Sequence, residues 1–220
     1  MSKPTHSSIS RERMSRMAFE YLHFEPTLLE ARLPLVIYLH GAGQKGTSLE
    51  YLAESSLPSL MAEGLEIPAH LVCPLAKPGP GWPVQHVAIF AEEICRKLSA
   101  DPLRIYLTGE SMGGRGVFEV AYWHHHLLAA AAPLCGFGIP NLAPVLKDLP
   151  ITMFHGSDDD VLPVARSEEM AAALHAAGAN ATFQKLTGHG HSIGRTVYSK
   201  PDFWSWMLSK RRQTSQLELQ

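Results

Sequence analysis

The sequence predicts a single α/β domain in which a mostly parallel β-sheet is covered by helices on both faces. Short apolar runs of the β type alternate with helix-type segments, and the chain has no internal repeat. Strands that are separated by helices pair in parallel, because each helix returns the chain to the same end of the sheet. The 220 residues suit one domain, and a chain with 45% hydrophobic and 18% charged residues is globular.

The N-terminal half is expected to alternate strands and helices after a polar start. Residues 1–17 are polar and basic, which predicts a flexible segment before a domain at 18–212 and a frayed tail at 213–220. Alternating apolar residues at 19–24 predict an edge strand. The following elements of this half are a strand at 35–39, a helix near 47–63 capped by Thr47 or Ser48, a strand at 69–73, a Pro/Gly-rich loop at 74–83 and a helix at 84–98.

The C-terminal half continues the same alternation and ends on a helix. Apolar runs predict strands at 103–107, 128–134, 151–155 and 181–186. Helices are expected at 111–124, at about 163–177 with its end at Gly178, and near 201–211, with a short piece near 141–147.

The most informative motif joins the strand at 103–107 to the helix after it. Residues 109–113 read G-E-S-M-G, which matches the G-x-S-x-G nucleophile elbow between a strand and a helix. Glycines two positions before and after Ser111 avoid collisions in this strained turn. The motif therefore predicts Ser111 as a nucleophile at the positive end of the following helix. The alternative interpretation is a glycine-rich turn without chemistry.

A second turn with glycines follows the strand at 35–39. Residues 40–43 read H-G-A-G, and such glycines let backbone N–H groups turn inward. An oxyanion hole needs donors at the place where negative charge develops. We expect these donors to be the N–H groups of Met112 and Ala42, with Gly43 as the alternative to Ala42. An ordinary β-to-α turn is the other interpretation.

Two later strands end beside candidates for an acid and a base. Three aspartates follow the strand at 151–155 and compete for the role of the acid: Asp158, Asp159 and Asp160. Two histidines follow the strand at 181–186 and compete for the role of the base: His189 and His191. In a catalytic site with a serine nucleophile, such an acid orients the histidine and stabilises its charged form.

Together these segments resemble the α/β-hydrolase superfamily in its compact esterase branch, which includes phospholipase/carboxylesterase, dienelactone-hydrolase-like and predicted-peptidase groups. The resemblance rests on residues 34–46, 104–114, 155–163 and 188–191, and it covers roughly residues 20–210. The chain order Ser, Asp, His is that of this superfamily. Its acid motif H-G-x-x-D-x-x-V-P falls on Asp159 and its G-x-G-H motif falls on His191. Glu110 stands where the family usually has an aromatic or apolar residue.

The resemblance implies a serine hydrolase that cleaves a small carboxylic ester through an acyl-enzyme, with Ser111, His191 and Asp159 as its triad. It calls for no metal and no organic cofactor. A thioesterase, a small-peptide hydrolase or a lactone hydrolase would use the same machinery, and a non-catalytic binding protein on this scaffold is the other class. We expect Trp82, Phe137 and Ile139 to line the substrate pocket; for Trp82 the alternative is packing under its loop.

The composition limits which classes of binding partner and which cellular compartment are expected for this protein. A net charge of −2 argues against nucleic acid or an anionic membrane as the main partner. Apolar stretches stay shorter than the roughly 18 residues of a membrane span, and the polar start does not resemble a signal peptide. Cys73, Cys95 and Cys135 lack ligand spacing, so they are expected to be buried thiols of a cytoplasmic protein. The histidines at 124–126 are expected to be solvated surface.

Overall fold

The computed structural model describes residues 9–13, 19–26 and 32–213, and it confirms the predicted α/β fold class. Within these residues one sheet contains eight strands: β1 (Ile9–Arg13), β2 (Glu20–Phe24), β3 (Leu35–Leu39), β4 (His70–Leu75), β5 (Ile105–Glu110), β6 (Ala130–Leu134), β7 (Ile151–Gly156) and β8 (Ala181–Leu186). Their spatial order is β1-β2-β4-β3-β5-β6-β7-β8. The pairs β1–β2 and β2–β4 are antiparallel, and every neighbouring pair from β4 to β8 is parallel.

Helices pack on both faces of the sheet. They are α1 (Leu49–Ala53), α2 (Ser56–Ala62), α3 (Val84–Lys97), α4 (Met112–His124), α5 (Ala165–Ala176), α6 (Gly194–Tyr198) and α7 (Pro201–Leu208), with 3-10 helices at Ala42–Gln44, His125–Leu127 and Pro140–Leu146. Buried side chains of α3, α4 and α5 belong to one hydrophobic cluster, and those of α1, α2, α6 and α7 belong to another. The sheet separates the two clusters.

The central strand β3 shows why the sheet is buried on both sides. All five of its residues are buried. Leu35, Ile37 and Leu39 face one cluster, whereas Val36 and Tyr38 face the other. A strand that is covered on both faces has to be apolar at successive positions, which is the pattern that its sequence shows.

The N-terminal segment differs from the expectation of flexibility over residues 1–17. Its residues Ile9–Arg13 form β1, which pairs with β2 from Ile9 opposite Phe24 to Arg13 opposite Glu20. An edge strand is held by backbone hydrogen bonds along one side, so it needs no apolar run in the sequence. The rest of that segment and residues 214–220 of the expected tail lie outside the described residues.

The helix expected near 47–63 is divided in two. Ser55 lies between α1 and α2 in extended backbone, with φ −72° and ψ 162°. Its hydroxyl donates to the carbonyl of Leu52 at 2.7 Å, which satisfies a carbonyl at the end of α1. A further short helix, α6, was not expected, and the final helix ends at Leu208 rather than near residue 211.

The topology brings three loops to one edge of the sheet. Strands β5, β7 and β8 are parallel to their neighbours, so their carboxyl ends lie at the same edge. Ligands of open α/β sheets bind at this edge. The loops that follow these strands contain Ser111, Asp159 and His191. Among the described helices, none has both the length and the apolar character that crossing a membrane would require.

Candidate active site

Ser111 occupies a strained turn between β5 and α4. Its φ of 56° and ψ of −115° lie where non-glycine residues are rare. A side chain at Gly109 or Gly113 would collide with the carbonyl oxygen of Leu39 on the neighbouring strand. The two glycines therefore let β5 and α4 approach β3, and the turn exposes Ser111 at the first turn of the helix.

The loop after β3 lies against this serine. A Cβ atom at Gly41 would be 3.7 Å from Cβ of Ser111. Burial lowers the pKa of His40 to about 4, so its ring is neutral. Its Nε2 accepts from the N–H of Ala76 at 3.0 Å, and its Nδ1 therefore carries the hydrogen and donates to the carbonyl of Gly41 at 2.6 Å. This histidine thereby fixes the backbone that leads to Ala42.

Asp159 and His191 are in direct contact. Oδ2 of Asp159 lies 2.7 Å from Nδ1 of His191, while its Oδ1 accepts from the N–H groups of Leu162 at 2.8 Å and Val161 at 3.0 Å. Burial alone would raise the pKa of Asp159, but hydrogen bonds from Leu162, His191 and Val161 outweigh it and hold the pKa below its usual value. An ionised Asp159 requires the hydrogen of His191 to be on Nδ1, which leaves Nε2 as an acceptor.

The competing residues lie elsewhere. Asp158 and Asp160 are exposed, and Asp158 accepts from the hydroxyl of Ser157 at 2.6 Å. Nδ1 of His189 lies 3.0 Å from the carbonyl of Thr187 in its own loop. The structure therefore brings Asp159, and not its neighbours, to His191.

Ser111 and His191 line one cavity of about 560 Å³. Gly41, Ala42 and Gly43 form part of its wall, and much of the remainder is polar. The hydroxyl-bearing side chains that line it, in addition to Ser111, are Tyr38, Ser55, Ser56, Ser59 and Ser192. The wall also includes Gln44, Glu54, Glu110 and Arg195.

The structure places the three expected pocket residues away from this cavity. Trp82 is 4% exposed; its indole packs against Gly116, donates to the carbonyl of His40 at 3.2 Å and borders a separate cavity. The ring of Phe137 lies 5.5 Å from the guanidinium of Arg115. Ile139 is 52% exposed. These positions correct the expectation that the three side chains line the cavity of Ser111. The chain after β6, which contains Phe137 and Ile139, turns towards α5. The indole of Trp82 packs under its own loop instead.

Glu110 is a site residue whose role the sequence left open. Its carboxylate accepts from the hydroxyl of Tyr38 at 2.9 Å, from the hydroxyl of Ser56 and from the backbone N–H of Gly194. Burial is the largest effect on Glu110 and raises its pKa, although these donors and the nearby His191 oppose the shift. Glu110 thus joins the end of β5 to the first residues of α2 and α6. A polar residue inside an otherwise apolar strand end was the signal for it.

One group of side chains has the composition of a metal site. The ligand atoms of Cys135, His155 and Asp159 lie within 4.8 Å of one another. Burial raises the pKa of Cys135 to about 12, so its sulfur stays a thiol, whereas a metal prefers the thiolate. The oxygens of Asp159 already accept hydrogen bonds from His191 and from two backbone N–H groups. This donor set does not fit a metal ion.

Comparisons with known proteins find esterases and thioesterases among the similar sequences. Residues 92–200 match the model of the phospholipase/carboxylesterase family. The chain is 37% identical over 112 residues to acyl-protein thioesterase 1 homolog 2 of Dictyostelium discoideum, covering 48% of this chain and 49% of that protein. It is 28% identical over 152 residues to a bifunctional acetylxylan esterase/xylanase of Neocallimastix patriciarum, covering 63% of this chain and 21% of that protein. The chain thus spans about half the length, or less, of these curated relatives.

Solved structures show the same fold at lower identity. A thermostable esterase superposes with a TM-score of 0.74 at 24% identity, over 94% of this chain and 64% of the other. The feruloyl esterase module of Clostridium thermocellum, complexed with sinapinate, superposes with a TM-score of 0.71 at 14% identity, over 97% and 92% of the two chains.

Proposed function

We propose that the chain, whose residues 92–200 match the phospholipase/carboxylesterase family, is a hydrolase of the carboxylesterase/thioesterase kind that cleaves small carboxylic esters with a Ser111–His191–Asp159 triad. One observation carries the proposal. Asp159 contacts His191 at 2.7 Å, and His191 shares a cavity with a serine whose backbone is held at φ 56°.

The first half of the reaction is attack by Ser111 on the ester carbonyl. A serine hydroxyl is a weak nucleophile at neutral pH, so a base has to remove its proton. Nε2 of His191 takes this proton, because Nδ1 already donates to the ionised Asp159. The carboxylate then balances the charge of the imidazolium. The alcohol leaves with a proton from His191, and the acyl group stays on Ser111.

The second half repeats these steps with water. His191 activates a water molecule, which attacks the acyl-enzyme and releases the acid. In both halves the carbonyl oxygen becomes negative, and the backbone N–H groups of Met112 and Ala42 are the donors assigned to it. Met112 is the first residue of α4, where the helix dipole also favours negative charge. Losing one such donor typically costs on the order of 100- to 1,000-fold in rate.

The wall of the cavity favours small, polar esters over long acyl chains. We expect this preference because serines and charged residues make up half of the residues that line the cavity. A thioesterase is the second candidate, because the chain is 37% identical to an acyl-protein thioesterase homolog over 112 residues. The buried free thiols of Cys73, Cys95 and Cys135 fit the proposal of a reducing, cytoplasmic compartment.

Matched substrates test this proposal. We expect p-nitrophenyl acetate and butyrate to be hydrolysed faster than the palmitate, and the Ser111→Ala variant to lose this turnover. Comparing p-nitrophenyl acetate with its thioacetate analogue separates esterase from thioesterase, because only the leaving atom differs. Faster turnover of the palmitate would contradict the small-ester assignment. Full turnover by the folded Ser111→Ala variant would contradict the triad.

A further inference from the structure

A second histidine lies against the triad acid. His155 is in β7, next to its last residue, and its side chain is fully buried. Its Nε2 lies 2.9 Å from Oδ2 of Asp159 and 2.9 Å from the carbonyl oxygen of Leu162. Both of these oxygens are acceptors. An imidazole nitrogen that faces two acceptors in a buried site has to carry a hydrogen, since the unprotonated nitrogen would be a third acceptor.

The other edge of the ring is held by α5. Nδ1 of His155 lies 2.7 Å from the hydroxyl oxygen of Ser167, which itself contacts the carbonyl of Gly136 at 2.8 Å. Ser167 is 1% exposed. The imidazole is therefore fixed on both sides by buried partners, and its Nε2–H cannot turn away from the loop that contains Asp159.

Asp159 thus lies between two imidazoles. The same oxygen, Oδ2, is 2.7 Å from Nδ1 of His191 and 2.9 Å from Nε2 of His155. His191 is partly exposed and borders the cavity, whereas His155 is fully buried and contacts Asp159 from within the protein. The other titratable neighbours are the thiol of Cys135, which is hydrogen-bonded to Asp159, and Glu110, which acts on His191 through its charge.

We propose that His155 is a positioning residue for the triad: its Nε2–H orients the carboxylate of Asp159 towards His191 and offsets part of the carboxylate's charge. This inference rests on the proposed function and extends it to a residue outside the cavity. Loss of the N–H would let the carboxylate rotate and would leave the carbonyl of Leu162 without this donor.

Two substitutions at His155 separate this role from simple packing. The amide nitrogen of glutamine reaches the place of Nε2, whereas that of asparagine reaches only the place of Nδ1. We expect His155→Asn to lower kcat for p-nitrophenyl acetate on the order of 10- to 100-fold, as a misplaced catalytic group does, with little change in KM. His155→Gln keeps most of the kcat of the unmodified protein, because its amide nitrogen replaces Nε2.

The control is His23→Asn, which removes another buried imidazole at the far side of the sheet. It should lower stability and leave the kcat of the folded protein close to that of the unmodified protein. The proposal is overturned when His155→Asn keeps the kcat of the unmodified protein, or when His155→Gln loses as much kcat as His155→Asn.

A measurement on the unmodified protein needs neither a variant nor turnover. Proton–nitrogen NMR at neutral pH should show a hydrogen on Nε2 of His155 and a far-downfield resonance for Nδ1–H of His191. An Nε2 without hydrogen would overturn the inference even if every variant failed to fold. Failure of the proposed function would give a different result: the protein would not hydrolyse esters, although both resonances would be present.

Discussion

At the scale of single residues, the site depends on which hydrogen each side chain can offer. Asp159 has five donors around its carboxylate, from two backbone N–H groups, two imidazoles and a thiol. Every one of them favours the ionised form. This carboxylate therefore stays charged at neutral pH, where His191 would act as the proposed base, and it determines which nitrogen of that ring is free.

Removing this charge while keeping its shape tests the triad acid. We expect Asp159→Asn to lower kcat on the order of 10,000-fold, because an amide nitrogen beside His191 favours the wrong tautomer. The measurement is steady-state hydrolysis of p-nitrophenyl acetate by protein that is folded by circular dichroism. Asp160→Asn, at the exposed neighbouring carboxylate, is the matched control and should retain its rate. An equal loss in the two variants would speak against the assignment.

Glu110 allows a second test at this scale. Its carboxylate accepts hydrogen bonds from Tyr38, Ser56 and Gly194. Glutamine would replace one of the two accepting oxygens by an NH₂ group, which donates and does not accept. We expect Glu110→Gln to lower the free energy of unfolding by about 1–3 kcal/mol, which is the usual cost of a mismatched buried polar group. Urea denaturation measures it. A stability equal to that of the unmodified protein would show that these donors find other partners.

At the scale of elements, α6 matters because it carries the histidine loop. Its first residue, Gly194, packs against the carboxylate of Glu110, and a methyl group there would collide with it. Ile193, the residue before α6, is two positions from His191. The packing of α6 on the end of β5 therefore contributes to the placement of His191.

Gly194→Ala tests this coupling. We expect it to cost about 1–3 kcal/mol of stability, as overpacking does, and to lower kcat because α6 has to move with the adjoining loop. Gly81→Ala is the control, since an added Cβ there meets nothing within 4 Å. The readouts are urea denaturation and ester hydrolysis. A normal kcat in a destabilised Gly194→Ala variant would show that the packing of α6 does not position His191.

The sequence predicted most of the elements and less of the contacts between them. Apolar runs predicted β2 to β8, because buried strands need apolar residues on both faces. The polar strand β1 and the five-residue α6 carry no such periodicity. The elbow and the H-G-x-x-D register led to Ser111 and Asp159, since both are local patterns. The partners of Glu110 come from three distant segments, and no spacing along the chain reports such a convergence.

The expected pocket residues show the same limit. The positions of Trp82, Phe137 and Ile139 depend on how long loops turn after their strands. Each of them follows a predicted strand in the sequence, which indicated a position near the carboxyl edge of the sheet. The direction of each side chain, however, follows from tertiary packing. The indole of Trp82 packs on Gly116 instead, and this contact with α4 could not be inferred from spacing.

At the scale of the whole molecule, paired carboxylates make the fold sensitive to acid. The pKa of Asp159 is below its usual value of 3.8, and so is that of Asp101, where burial is outweighed by the N–H of Leu103 and by Arg211 and Arg104. A lowered pKa in the folded state contributes stability above the unfolded pKa, and this contribution is lost as pH falls through the folded value.

We therefore expect the urea midpoint to fall as pH drops below about 4, the unfolded range of these carboxyl groups. Asp101→Asn should be less stable at pH 7 and should show a flatter decline in acid, because its contribution is already missing. Glu110 acts in the opposite direction: its raised pKa favours folding at low pH and loses this effect as pH rises through the folded value. An acid decline of the same steepness in Asp101→Asn would contradict this origin.

The whole sheet also brings the three residues of the proposed triad together. Asp159 and His191 are 32 positions apart in the chain, and Ser111 comes from a third loop. We therefore propose that folding turns the Ser111 hydroxyl into a base-activated nucleophile.

The most direct measurement of this claim is labelling with a fluorophosphonate probe, followed by mass spectrometry of the labelled peptide. We expect a single stoichiometric label on Ser111, strong slowing of labelling in His191→Ala, and loss of labelling when the protein is unfolded in urea. A folded protein that stays unlabelled, or that carries the label on another residue, would contradict it.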